Sequence, residues 1–260
     1  MCAPGHSIFI KFYLMDKDAP ELTPGQKVDW SYEPKSPPFM TMEREGCDCG
    51  GPCPKPFLGC WACTEACSER ATLYAGDVEG EPGEKQGERE RTNLIGESVQ
   101  PQFGGGVRPV MQTMERADAD DPKGEAKMFA AAEGPYCFGG CIKLCCNAEF
   151  KYGAVAPEQD LGSVNFEDYA QITKLKPASL AQGAREMFTD SDIFDVQFIN
   201  KDITPQQKAN ILAQLIHLDY MFFDRDNDIF YDNGITLFNC FCMGCVCPCR
   251  LKNSGGGGGS

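Results

Sequence analysis

The chain has 260 residues, enough for one large domain or two small ones and for a sizeable core, so fibrous and collagen-like readings fail. Its 24 Lys and Arg stand against 38 Asp and Glu, a formal charge of −14 at pH 7, which repels nucleic acid and argues against a nucleic-acid partner. Hydrophobic residues reach 42%, a globular level, yet no run approaches the roughly 20 apolar residues of a bilayer-spanning helix.

The start of the chain has one apolar run, Ser7 to Leu14, interrupted by Lys11, without the charged start and small-residue cleavage site of a secretory signal. No signal peptide and a cytoplasmic setting are expected. In that setting the 16 cysteines are read as thiols, acylated thiols or metal ligands before disulfides. Short segments rich in Val, Ile, Phe, Tyr and Thr then follow one another as predicted strands: Ile8 to Leu14, Lys27 to Ser31, Phe39 to Glu43, Ala71 to Tyr74 and Leu94 to Val99. Val110 to Glu115, Lys127 to Ala131 and Glu149 to Tyr152 continue the series. Glycine, proline and aspartate punctuate them, as in a many-stranded antiparallel sheet or barrel. Asp77 to Arg91 and Ala117 to Gly124 read as solvated charged loops.

One helix stands out. Thr204 suits the N-cap and Pro205 the first helical position, which predicts a helix from about 205 to 223. Ala209, Leu212, Leu215, Ile216, Leu218, Phe222 and Phe223 give it a broad apolar surface, and Asn210, Gln214 and His217 line up as a polar stripe. As a membrane span it would carry Lys208, Gln214, His217 and Asp219, and an acidic residue near a helix centre costs roughly 3 kcal/mol on insertion. Burial inside protein is the better home, with strands wrapped around the helix in an α+β architecture.

The run Arg185-Glu186-Met187-Phe188-Thr189-Asp190-Ser191-Asp192-Ile193-Phe194-Asp195-Val196-Gln197-Phe198, followed by a helix ending Leu218-Asp219-Tyr220-Met221-Phe222-Phe223, closely resembles the C-terminal part of the phospholipid scramblase family. Gly25 to Val28, Pro38 to Met42, Cys53 to Cys67, Leu94 to Gln100 and Gly134 to Cys146 match in the same order. The resemblance implies a Tubby C-terminal-like fold, a twelve-stranded antiparallel β-barrel around a central hydrophobic C-terminal helix. It also implies a calcium-activated, palmitoylated, membrane-bound protein that moves phospholipids in both directions between leaflets. One domain over residues 1 to 253 is expected, with a Cys-rich C-terminal extension over 224 to 253 and a flexible Gly-rich tail over 254 to 260.

Asp190, Asp192 and Asp195 fall where the resemblance implies a calcium site, but three carboxylates are short of the six to eight oxygens that Ca²⁺ takes. The alternative is a turn capped by aspartates and feeding a strand. Asp224, Asp226, Asp228 and Asp232 copy EF-hand positions 1, 3, 5 and 9, while Ile229 and Ile235 stand where the turn glycine and bidentate glutamate belong. A solvated acidic loop before an Asp232-Asn233-Gly234 turn and a strand Ile235 to Phe238 is the competing reading.

Cys240, Cys242, Cys245, Cys247 and Cys249, with Cys60, Cys63 and Cys67, are candidates for S-acylation on the cytosolic face of a membrane. Two or more chains at about 0.8 kcal/mol per buried methylene would hold the protein firmly. Cys60-x-x-Cys63 and Cys242-x-x-Cys245 are equally zinc half-sites, with Cys47, Cys49 and Cys53 as further ligands, and inert thiols remain open. Cys137, Cys141, Cys145 and Cys146 are expected to be small buried hydrophobes. No G-x-S-x-G, phosphate-cradling loop or HExxH motif supports hydrolysis or phosphoryl transfer, and Gly104 to Gly106 reads as a turn. The function expected is therefore scramblase-like, and the alternative is a non-transporting structural or adaptor subunit of a larger complex built on the same barrel.

Overall fold

The structure, a computed structural model, describes residues 7–14, 34–44, 68–80, 93–101, 108–116, 126–139, 142–156, 159, 161–179, 181, 192–223, 230–231, 234–242 and 245–252. Lys27 to Ser31, Gly104 to Gly106, most of the two charged insertions, and the 254 to 260 tail lie outside the described residues.

The first strands are β1 (Ile8–Phe12), β2 (Met40–Arg44), β3 (Arg70–Ala75), β4 (Leu94–Val99), β5 (Val110–Arg116) and β6 (Ala126–Glu133). After them come β7 (Cys137–Gly139), one helical turn α1 (Ile142–Cys145), β8 (Ala148–Ala154), β9 (Ala170–Lys174) and β10 (Phe194–Phe198). The helix α2 (Pro205–Leu218) precedes β11 (Phe230–Tyr231), β12 (Gly234–Cys242) and β13 (Cys245–Lys252). Nine strands form one antiparallel sheet in the order β1-β2-β3-β4-β5-β6-β8-β9-β10. The second sheet joins β11, β12 and β13, and β7 pairs with β12 rather than with its sequence neighbours.

The expected closed, twelve-stranded barrel is thus not the observed architecture. Among the described residues β1 and β10 end the large sheet without pairing with each other. Part of the reason is local: Ala130 to Glu133 of β6 pair directly with β8, which leaves β7 no place in the sheet.

Helix α2 starts where its sequence says. The Thr204 side chain accepts from the Gln207 backbone N–H at 3.2 Å, and Gln207 Oε1 accepts from the Thr204 N–H at 3.1 Å, a reciprocal cap with Pro205 just inside. The helix continues as a π-helical turn over Asp219–Phe223. One apolar flank places Ile211, Leu218, Phe222 and Phe223 against Met111, Phe150, Tyr152 and Ile172. The other places Ala209, Ala213 and Ile216 against Met40, Met42 and Leu73. Both halves of the sheet therefore reach the helix, which lies in the hollow of a curled sheet.

Candidate functional site

The polar stripe of α2 faces β4 and β5, and it is buried. Gln214 accepts from the Thr113 hydroxyl at 2.8 Å and donates to Ser98 Oγ at 3.0 Å and to the Gln112 carbonyl at 3.1 Å. His217 Nδ1 lies 2.9 Å from the same Ser98 hydroxyl, and its Nε2 lies 3.6 Å from Glu69 Oε2. Arg44 completes the group by donating to Glu69 through Nε at 3.3 Å and through a terminal nitrogen at 3.0 Å. Ser98, His217, Glu69, Arg44 and Gln214 are all at most 3% exposed. A serine, a histidine and a carboxylate in sequence contact have the ingredients of an activated nucleophile. Here Glu69 is held by Arg44 and the serine by Gln214, all of them buried, so the group locks the helix to the sheet.

Gly96 permits the close approach of helix and sheet, because a Cβ there would collide with the Met114 carbonyl and the Asn210 side chain. Nearer the helix start, Gln206 donates to the Ile95 carbonyl at 2.9 Å and Gln207 to Glu115 at 2.9 Å. The Tyr169 hydroxyl donates to Gln207 Oε1 at 2.9 Å. Extracting α2 from the sheet would leave many buried donors and acceptors unmatched, each costing about 1 to 3 kcal/mol. Among the described residues no helix is long and apolar enough to cross a membrane.

Burial also acts on the tyrosines beside the helix. It pushes the Tyr152 hydroxyl well above its ordinary value, and burial with the nearby Glu115 charge pushes Tyr169 up to about 12. A phenol whose pKa is raised on folding keeps its proton longer in the native state, so stability is intact below pH 10 and falls as pH rises beyond it. The expected loss is about 1.4 kcal/mol per affected tyrosine for each pH unit above 10. Chemical unfolding from pH 8 to 11 checks this, and Tyr169→Phe should flatten the alkaline slope.

Of the acidic residues singled out in the sequence, Asp190, Asp224, Asp226, Asp228 and Asp232 lie outside the described residues. Asp192 is paired with Lys174 at 3.1 Å, with both side chains at most 2% exposed. Asp195 sits on β10, where it accepts from Gln197 at 2.8 Å. Each of the two described carboxylates thus has a protein partner. Among the described residues no three His, Cys, Asp or Glu side chains are grouped as a metal ion requires. Lys174 drew no attention in the sequence, since a lysine that ends a strand gives no sign of burial.

The cysteines divide differently. Cys47, Cys49, Cys53, Cys60, Cys63, Cys67 and Cys141 lie outside the described residues. Cys137, Cys145 and Cys146 are exposed, which corrects the expectation that they are buried hydrophobes. Phe138 takes the inward position on β7 and is 1% exposed, so its neighbour Cys137 faces outward by the period-two rule of strands. In the second sheet Cys137 is the register partner of Cys242, and Cys242 is the partner of Cys245 across the β12–β13 turn. Cys240 is opposite Cys247 in the next row, and Cys249 is opposite Phe238. Cysteines more than 90 positions apart are therefore brought into one row, with the described member Cys242 half-buried.

The Scramblase family model matches residues 170–225, about a fifth of the chain. No curated protein and no solved structure gives a significant match. The matched stretch takes in β9, β10, the Lys174–Asp192 pair and the whole of α2 with its π-helical turn. Over that unit of strand pair and buried helix, the chain is similar to the Scramblase family.

Proposed function

We propose that this chain is a scramblase-like protein that works at a phospholipid surface, held on its cytosolic face by S-acylated cysteines. The observation that carries this reading is the family segment 170–225 folded as one packed unit, with its helix seated in the sheet. The exposed Cys137, in register with Cys242 and Cys245, supports acyl attachment on one side of the second sheet. Lipid exchange requires a polar route through about 30 Å of hydrocarbon. With α2 pinned by Gln214 and His217, the helix does not furnish that route on its own. The activity then belongs to the whole domain perturbing the bilayer it rests on.

A second reading, a non-transporting adaptor, is favoured by the sheet edges at β1 and β10, which have no further strand partner among the described residues and are templates for another chain. Purified protein reconstituted in vesicles with a fluorescent phospholipid, quenched from outside by dithionite with and without Ca²⁺, separates the two. Calcium-stimulated exchange above protein-free vesicles supports scrambling. Exchange at the protein-free level in both conditions, with the native protein recovered in a stoichiometric complex, supports the adaptor. Intact-mass measurement before and after hydroxylamine reads acylation, and a chelator-sensitive mass increment would assign the cysteines to zinc instead.

A further inference from the structure

Opposite its buried polar stripe, α2 is not covered by the sheet. Successive helical residues turn by about 100°, so Lys208, Leu212 and Leu215 lie on the side of the helix away from Asn210, Gln214 and His217. That side opens into a groove of about 440 Å³ whose lining includes Phe12, Phe39, Met40, Leu212 and Ile216. Phe39 is 47% exposed and Leu212 is 41% exposed, so the groove is open to solvent at these two residues. The lining is hydrocarbon apart from Lys208, which lies near the helix start with its ammonium 5.5 Å from the Phe198 ring. Among the described residues no carboxylate pairs with Lys208.

We infer that this groove binds a single long-chain fatty acid, with the alkyl chain along Leu212 and the carboxylate at Lys208. The lining is almost wholly apolar and runs beside the helix, which suits an alkyl chain rather than a polar ligand. Charge decides the head group. A lysine with no carboxylate partner among the described residues, at an apolar mouth, favours a monoanion over a cationic head, against the repulsion of the acidic surface. The inference does not rest on the scrambling reading, because the binding it describes requires no bilayer.

The test is calorimetric titration of the purified full-length chain with palmitate below its micellar concentration, without vesicles. Saturation at one palmitate per chain is expected, with decanoate about a thousandfold weaker, since the two differ by three pairs of methylenes and each pair changes affinity about tenfold. Lys208→Met should weaken palmitate about tenfold and leave hexadecanol unchanged. Leu212→Asp should abolish both, and Leu212→Gln serves if the charged variant does not fold. Absence of saturable palmitate binding to the folded wild type, or binding that survives both Leu212 variants, overturns the inference. So does concentration-dependent dimerisation that the Leu212 variants abolish without palmitate binding, which would give the groove to a second copy. Failed lipid exchange with intact palmitate binding would remove the scramblase reading alone.

Discussion

Lys174→Met should lower the unfolding free energy by about 3 to 5 kcal/mol, because it strands the Asp192 carboxylate inside the protein. Lys174 is 0% exposed and its partner side chain 2%, so water can replace neither charge without opening the structure. The pair also has a position in the fold that magnifies its loss. Lys174 ends β9 and is the register partner of Phe194 on β10, while Asp192 lies just before β10, so the ion pair fastens the last strand to the sheet. Urea denaturation gives the free energy. In addition, amide exchange should accelerate in Phe194–Phe198 before it does in β3 or β4. Replacing both charges, Lys174→Met with Asp192→Leu, should recover much of the loss, since an apolar pair avoids the desolvation penalty. A single variant that loses less than about 1 kcal/mol would show that the pair is solvated in solution.

Phe138→Ala should cost about 3 to 5 kcal/mol for a different reason, the cavity left by a ring in a tightly packed cluster. The Phe138 ring centroid lies 5.3 Å from that of Phe222 and 5.8 Å from those of Phe150 and Phe223. These partners come from β8 and from the turn after α2, so one ring joins the large sheet, the helix end and the second sheet. The effect should reach beyond stability. Because β7 pairs with Cys240 to Cys242 of β12, the variant should also raise the rate at which thiol reagents label the cysteine row. Phe138→Leu should restore most of both properties. Unchanged stability in Phe138→Ala would mean that the second sheet does not share the main core.

The two variants also mark how much of the molecule was legible in advance. Helix α2 was legible in full, down to the Thr204 cap and the polar spacing of Asn210, Gln214 and His217, because capping and amphipathic period are local properties. Most early strands were legible to within two residues at each end, as Leu94–Val99 shows. Strand β9 was not read as a strand, because five residues give too few turns of a period-two pattern, and β10 entered only as the strand fed by a turn capped at the aspartates, beside the cation reading. The three-residue β7 carries no period at all, and β13 holds Pro248, which a strand tolerates at the edge of its sheet.

By itself, the sequence determined a β-rich chain with one late helix, that helix's register, and a similarity to the Scramblase family over residues 170–225. Only the tertiary structure decided that β7 leaves the large sheet, that Cys137 meets Cys242, and that Lys174 meets Asp192. The same holds for the seam that exposes Leu212 between the first and last strands of the large sheet. The physical reason is shared by all four. Strand pairing and ion pairing between distant segments depend on register and burial, which no local window of residues encodes, whereas caps and periodicities are set within a few residues of one another.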